Sequence, residues 1–231
     1  MALNQITSSP TETRPDGRST GSILRPLSCE ISCLSRADGS AKFSAGQTSV
    51  LAAVYGPAAP RVAQREKATE AVIGVVFKHG SKSGGSSSVG SNKALSVGYG
   101  ATEREIERFI TGTIAECVVV KDYPRTVIEV VIQILKADGG VISVAINSAI
   151  VALMDAGISM RSIPVSTTLL VKHSGISSEL RLDPTAEEEI GTDCAATIFV
   201  TDSANYGVVS CLTSGIISQD SYLSCIEASS R

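Results

Sequence analysis

The chain has 231 residues, of which 43% are hydrophobic and 19% charged, with a mean hydropathy of +0.20 and a net charge of −3. This is ordinary globular composition with ample chain for a core, in one large domain or two tightly packed small ones. It excludes a generic polycation for nucleic acid, and no apolar run is long enough for a membrane span or forms a secretory leader after Met1. Charge is unevenly spread. Residues 1–136 carry 16 Lys/Arg against 12 Asp/Glu, whereas 137–231 carry 4 against 11, so a polyanion would meet the first half. Trp is absent and aromatics make up 4%, which argues against a base-stacking platform. The six cysteines show no paired metal spacing and read as buried, reduced thiols; Cys29 and Cys33, four apart, share one face if both lie on a strand.

Residues 1–13 are polar and rich in Thr and Ser, as a disordered tail would be, and 14–231 read as one domain. Arg14-Pro15-Asp16-Gly17-Arg18 is a turn signal carrying two positive charges. Leu27 to Tyr55 reads as an antiparallel meander with turns at Ala37–Ser40 and Ala45–Gln47, ending at Gly56-Pro57. Pro60-Arg61 through Lys67 is a basic loop, and Ala71 to Lys78 another strand. Gly80 to Gly100 is a long Gly/Ser segment. Gly85 and Gly90 have the spacing of a phosphate loop, but Ser91-Asn92 stands where Lys-Ser/Thr is needed, so a nucleotide site is rejected. Thr102 and Glu105 form a capping box opening a helix to about Cys117, with Ile106, Phe109, Ile110, Thr113, Ile114 and Cys117 inward. Arg104 and Arg108 lie one turn apart on its outer edge, where they can bracket a phosphate or merely face solvent.

Val127 to Leu135 is nearly continuously apolar and predicts a strand buried on both faces. Ala137-Asp138-Gly139-Gly140 breaks it, and Ser143 to Ala156 predicts a buried helix stopped by Gly157. A Gly-rich turn at a helix N-terminus presents unpaired N–H groups and a positive dipole end to an anion. Strands follow at Val165 to Lys172, up to Leu182, and as a hairpin of Cys194 to Thr201 and Tyr206 to Leu212 around Asp202–Asn205. A short helix starts at Ser218–Asp220. The whole is an α+β chain built twice on a meander-then-helix theme. With only His79 and His173, neither beside a nucleophile, a Ser/His/Asp or Cys/His site has little support. The acidic run offers Glu187 and Asp193 as candidate general acids.

RPDGR at 14–18, ADGSAKFSAGQTSVLAAVYGP at 37–57, Pro60-Arg61, EIERFI at 105–110, and LKADGG with the helix ending ALMDAGISM together resemble the RNase PH family. The resemblance runs from Arg14 over nearly the whole chain. It implies a ribosomal-S5-domain-2-like α+β fold, with mixed and antiparallel sheets around buried helices. It also implies packing beside other RNase PH-like exosome subunits in a ring around single-stranded RNA, in nucleus, nucleolus and cytoplasm. Active members shorten RNA from the 3′ end with inorganic phosphate as nucleophile, and follow the Gly-Gly pair with Thr-Arg. Here Gly139 and Gly140 are followed by Val141 and Ile142, and only the small hydroxyl of Ser143 is kept. Active members also place arginines just before the EIERFI helix, where this chain has Ala101 and Thr102. Of the two family acids, Glu187 stands at the first and an unchanged Asp193 at the second.

The expectation is therefore a degraded phosphorolytic site, with no certain cofactor, in a subunit that still positions RNA. The resemblance puts Arg61 and Arg65 at the channel, with Lys67, Lys93, Arg104 and Arg108 as further backbone contacts. A second reading stays open: a homo-oligomeric nuclease, the isolated chain pairing as a homodimer. In it Asp193 and Glu187 cut RNA or DNA by residual phosphorolysis or Mg²⁺-assisted hydrolysis.

Overall fold

A computed structural model describes residues 14–60, 66–78, 101–174, 177–190 and 194–229. The expected tail at 1–13 and the Gly/Ser segment lie outside the described residues. The meander forms where the turn signals put it: β1 (Leu27–Ile31), β2 (Gly39–Ala45) and β3 (Thr48–Ala58) pair antiparallel. β3 then pairs antiparallel with β5 (Val127–Lys136), and β5 pairs parallel with β4 (Val72–Lys78), giving the order β1-β2-β3-β5-β4. Parallel neighbours require a crossover, and α1 (Ala101–Cys117) lies within it. A carboxylate oxygen of Glu107 accepts the Phe77 N–H at 2.9 Å, tying α1 to β4.

β5 departs from the expected two-sided burial. Ile128, Val130, Ile132 and Ile134 are buried, whereas Glu129 is exposed, Val131 and Gln133 are half-buried and Leu135 is 52% exposed. The reason is that α1 and α2 pack into the same core on one face of this sheet, so its central strand alternates as a one-sided strand must. α1 has the expected inner stripe, with Ile106, Ile110, Thr113, Ile114 and Cys117 buried and Phe109 half-buried. It begins at Ala101, so Thr102 falls inside its first turn rather than at the expected cap.

α2 (Val141–Asp155) is the element both halves share. Its contacts run to β2, β3 and β5 on one side and to β6 and β8 on the other. Ten of its fifteen residues are buried. It ends as expected at Gly157 (φ +68°), whose N–H donates to Met154 O at 3.0 Å while Ile158 N–H donates to Leu153 O at 3.2 Å. Buried Ile158 and Leu153 complete that C-terminal motif.

The second sheet joins β6 (Pro164–Ser174), β7 (Ser177–Leu182), β8 (Cys194–Asp202) and β9 (Val208–Ser214) in the order β7-β6-β8-β9, all antiparallel. Between β7 and β8 sits a single helical turn, α3 (Ala186–Glu189). Ile198 and Val200 face the α2 core, while Leu169, Val171 and Phe199 face α4 (Gln219–Ser229) and its buried Cys225. β9 starts later than expected because Tyr206, at φ +53°, belongs to the turn. The cysteines also differ from expectation: Cys117 and Cys225 are buried, but Cys29, Cys33 and Cys211 are exposed and Cys194 is intermediate. Ser32 at φ +54° ends β1, so Cys33 lies beyond the strand that carries Cys29.

β1 is an edge strand, and all five of its residues are exposed, Leu27 at 57% and Ile31 at 62%. Beside it an apolar trough of about 200 Å³ opens between β1–β2, α2 and the start of β6, lined by Leu24, Leu27, Phe43, Val151, Met154 and Val165.

Candidate functional site

The Ala137–Gly140 turn sits between β5 and α2, as the sequence predicts. Gly139 (φ +75°) and Gly140 (φ +60°) hold left-handed conformations that only glycine adopts readily. Space matters as much as φ at Gly139, where an added Cβ would lie 2.4 Å from Pro184 O and 2.6 Å from the Thr185 carbonyl carbon. The backbone of the acidic loop is thus laid directly on the turn. Beyond it, Ile142 is buried in the core, Val141 packs against that core, and the Ser143 hydroxyl is 2.6 Å from that of Thr168. None of these three side chains supplies a cation.

Four backbone polar atoms of the turn have internal partners, Asp138 N, Asp138 O, Gly139 O and Gly140 N. Thr48 Oγ1 accepts the Asp138 N–H at 3.0 Å and donates to Gly139 O at 2.8 Å. The Arg25 guanidinium donates to Asp138 O, to Gly139 O at 3.2 Å, and in a fork to both oxygens of Asp183 at 2.8 and 2.6 Å. Asp183 Oδ2 also accepts the Arg25 backbone N–H at 3.0 Å. The Gly140 N–H, at the start of α2, donates to Glu189 Oε1 at 2.9 Å. Glu189 is only 7% exposed.

A second ring of charge clamps the same loop from the N-terminal segment. Arg14 forks onto Glu188 at 2.9 and 2.7 Å and donates to the carbonyls of Leu182 and Asp183. Glu188 also accepts from Arg181 at 3.1 Å and from the Thr185 N–H at 3.0 Å. Arg18 donates to Asp183 O at 2.8 Å.

These environments divide the acids. Burial alone would raise Asp183 and Glu188, but the hydrogen bonds and charge of Arg25 on the one, and of Arg14, the Thr185 N–H and Arg181 on the other, hold both below the usual carboxylate range. Glu189 goes the other way. Burial pushes its carboxyl up, the Gly140 N–H and distant Arg25 offset this in part, and the charges of Asp138 and Asp183 add to it.

Of the sequence-predicted site, Gly139, Gly140, Val141, Ile142 and Ser143 come together as one turn and helix start. Glu187 does not join them: it is exposed, and its neighbour Glu189 is the acid that reaches Gly140. In a short helix, successive side chains point about 100° apart, so one residue of register decides which acid faces inward. Asp193, Arg61, Arg65 and Lys93 lie outside the described residues. Lys67 is exposed and paired with Glu70 at 2.6 Å. Arg104 and Arg108 are exposed on α1.

Sequence reasoning missed Thr48, Arg25, Asp183, Glu188 and Glu189. The one available signal was the paired arginines of 14–18, read only as a turn. Among the described residues, no group of three or more His, Cys, Asp or Glu is placed to hold a metal ion. At the start of α2, the Gly140 N–H is already engaged by Glu189 Oε1.

Comparison with known proteins adds three findings. The model of the RNase PH family, described as 3′ exoribonuclease family, domain 1, matches residues 23–159. An Arabidopsis thaliana protein named Exosome complex exonuclease RRP46 homolog is 34% identical over 230 residues, covering 93% of this chain and 88% of that protein. The crystal structure of rice (Oryza sativa) Rrp46 superposes with a TM-score of 0.76 at 32% identity, covering 93% of this chain and 92% of that one.

Proposed function

The chain belongs to the RNase PH family of 3′ exoribonucleases, and we propose that it is a ring subunit of the RNA exosome whose own phosphorolytic site is degraded. In this reading it binds single-stranded RNA and packs against other RNase PH-like subunits. The relatives named RRP46 homologs support the assignment to the exosome. One observation carries the loss of activity: the helix start that would hold phosphate is faced by a carboxylate, Glu189 on Gly140 N–H at 2.9 Å. Val141 and Ile142, where active relatives carry Thr-Arg, supply no counter-charge. Loss of a charge-assisted contact of that kind removes on the order of 1.5–3 kcal/mol of binding. The exposed β1 edge and its apolar trough suit a protein that works against a neighbour.

RNA contact in this reading falls to Arg61 and Arg65, then Lys67, Lys93, Arg104 and Arg108, acting on phosphates without sequence preference. Residence in nucleus, nucleolus and cytoplasm follows the same assignment and is checked by imaging a tagged chain.

The decisive experiment incubates 3′- and 5′-labelled single-stranded RNA with the purified chain and with Asp193→Asn, with and without inorganic phosphate and Mg²⁺. The expected result is no product in any condition, with RNA binding that weakens as salt rises. Phosphate-dependent shortening abolished by Asp193→Asn would refute the degraded site. Products needing Mg²⁺ but not phosphate would favour the alternative, a homo-oligomeric hydrolytic nuclease, for which Asp193 and Glu187 remain the available acids.

A further inference from the structure

The acidic loop does more than lie near the start of α2. Its backbone is pressed onto Gly139, with Pro184 O 2.4 Å from where a Cβ would stand, so the loop cannot come nearer while the turn keeps its shape. Glu188 is held from the other side by Arg14, Arg181 and the Thr185 N–H. Between those two anchors, Glu189 is carried inward, 7% exposed, with Oε1 2.9 Å from the Gly140 nitrogen. Arg25 is the one cation whose charge acts on it, yet the Arg25 fork is committed to Asp183 at 2.8 and 2.6 Å. A buried carboxylate aimed at an N-terminal N–H, with the arginine spoken for, is positioned as a fixed internal anion.

We propose that Glu189 is an autoinhibitory plug, its carboxylate occupying the anion position at the α2 N-terminus and excluding inorganic phosphate from it. The inference rests on the degraded-site reading and deepens it: the site is filled as well as stripped of cations. Three charged groups face the plug, Arg25 from the segment before β1, Asp138 from the turn and Asp183 from the end of β7. Two of the three are negative, so anion entry demands that the Glu189 charge be removed. Protonation does so reversibly and substitution does so permanently. By linkage, an anion and the Glu189 charge each weaken the other to the same degree.

The test uses the full chain as wild type, Glu189→Gln and Glu189→Ala. Binding of inorganic phosphate, and of sulfate (which stays dianionic from pH 4 to 8), is read by the shift of the Gly140 amide in ¹⁵N-edited spectra. Potassium chloride at equal ionic strength is the control. At pH 8 the wild type should show no saturable shift, and both variants should show one. Wild-type sulfate binding should strengthen at least tenfold as pH falls through the Glu189 titration, and stay flat in Glu189→Gln. Equal behaviour of wild type and Glu189→Gln across pH overturns the plug, even if Glu189→Ala fails to fold. The labelled-RNA assay on the same samples separates the two claims. Phosphorolysis by the wild type sinks the degraded-site reading; no anion gain in the variants of an inactive protein sinks the plug alone.

Discussion

Arg25→Ala tests the energetics of the site most directly. The side chain is 4% exposed and donates to two carbonyls of the turn and to both oxygens of Asp183. Truncation leaves the Asp183 carboxylate, itself largely buried, without its counter-charge. Removing one partner of a buried pair costs about 3–5 kcal/mol, against a total stability of roughly 5–15 kcal/mol for a domain. For a chain of this length that corresponds to a fall in melting temperature of roughly 6–20 °C. Urea unfolding followed by circular dichroism measures the loss. Arg25→Lys should recover only part of it, because an ammonium cannot reproduce the fork. Arg25→Met/Asp183→Leu should be markedly more stable than Arg25→Ala, because no uncompensated charge is left inside. The reasoning is refuted if Arg25→Ala costs less than about 1 kcal/mol, or if the double variant is no better than the single one.

Gly139→Ala should cost about 2 kcal/mol or more, since φ is +75° and the new Cβ would overlap the Pro184–Ala186 backbone; thermal melting reads it. The acids predict a pH dependence of two signs. Asp183 and Glu188, held low by arginines, contribute stability that is complete above about pH 4.3 and lost as pH falls through their depressed folded values. Glu189, held high, contributes stability that is complete below about pH 4.3 and lost as pH rises through its raised folded value. Urea midpoints measured across that upper window should therefore decline with rising pH in the wild type and not in Glu189→Gln. Arg104→Ala and Arg108→Ala, both exposed, should leave stability within about 0.5 kcal/mol. Each should reduce the salt dependence of RNA affinity by about one unit of slope if it contacts a phosphate; an unchanged slope removes it from the interface.

The meander and α2 were legible because local chemistry determines them. Turn residues punctuate the strands of 27–58, and α2 is apolar nearly all round with a glycine just past its end. β5 was misread because a β-branched run looks the same whether one face or both are covered, and coverage depends on where α1 and α2 come to rest. The turn at Gly139–Gly140 was legible as a Gly-rich helix start, but the carboxylate that accepts its Gly140 N–H was not. That acid, Glu189, lies 49 residues away, and the arginines that fix the acidic loop lie 158 and 174 residues from their partners. No periodicity spans such separations. That Glu189 rather than Glu187 reaches Gly140 was hidden on a smaller scale, by the register of one helical turn.

Those separations also bear on how the molecule is made. Arg25 must wait for Asp183, 158 residues later, and Arg14 for Glu188, 174 residues later. At about 5–20 residues per second, a ribosome needs roughly 8–35 s to supply these partners. During that interval the first sheet can form its ladders, but two arginines destined for its interior have no counter-charge and stay in water. The segment 14–25 is thus made among the first and locked among the last. A chain released before residue 183 would carry every strand of the first sheet yet lack the clasp that joins its beginning to its end.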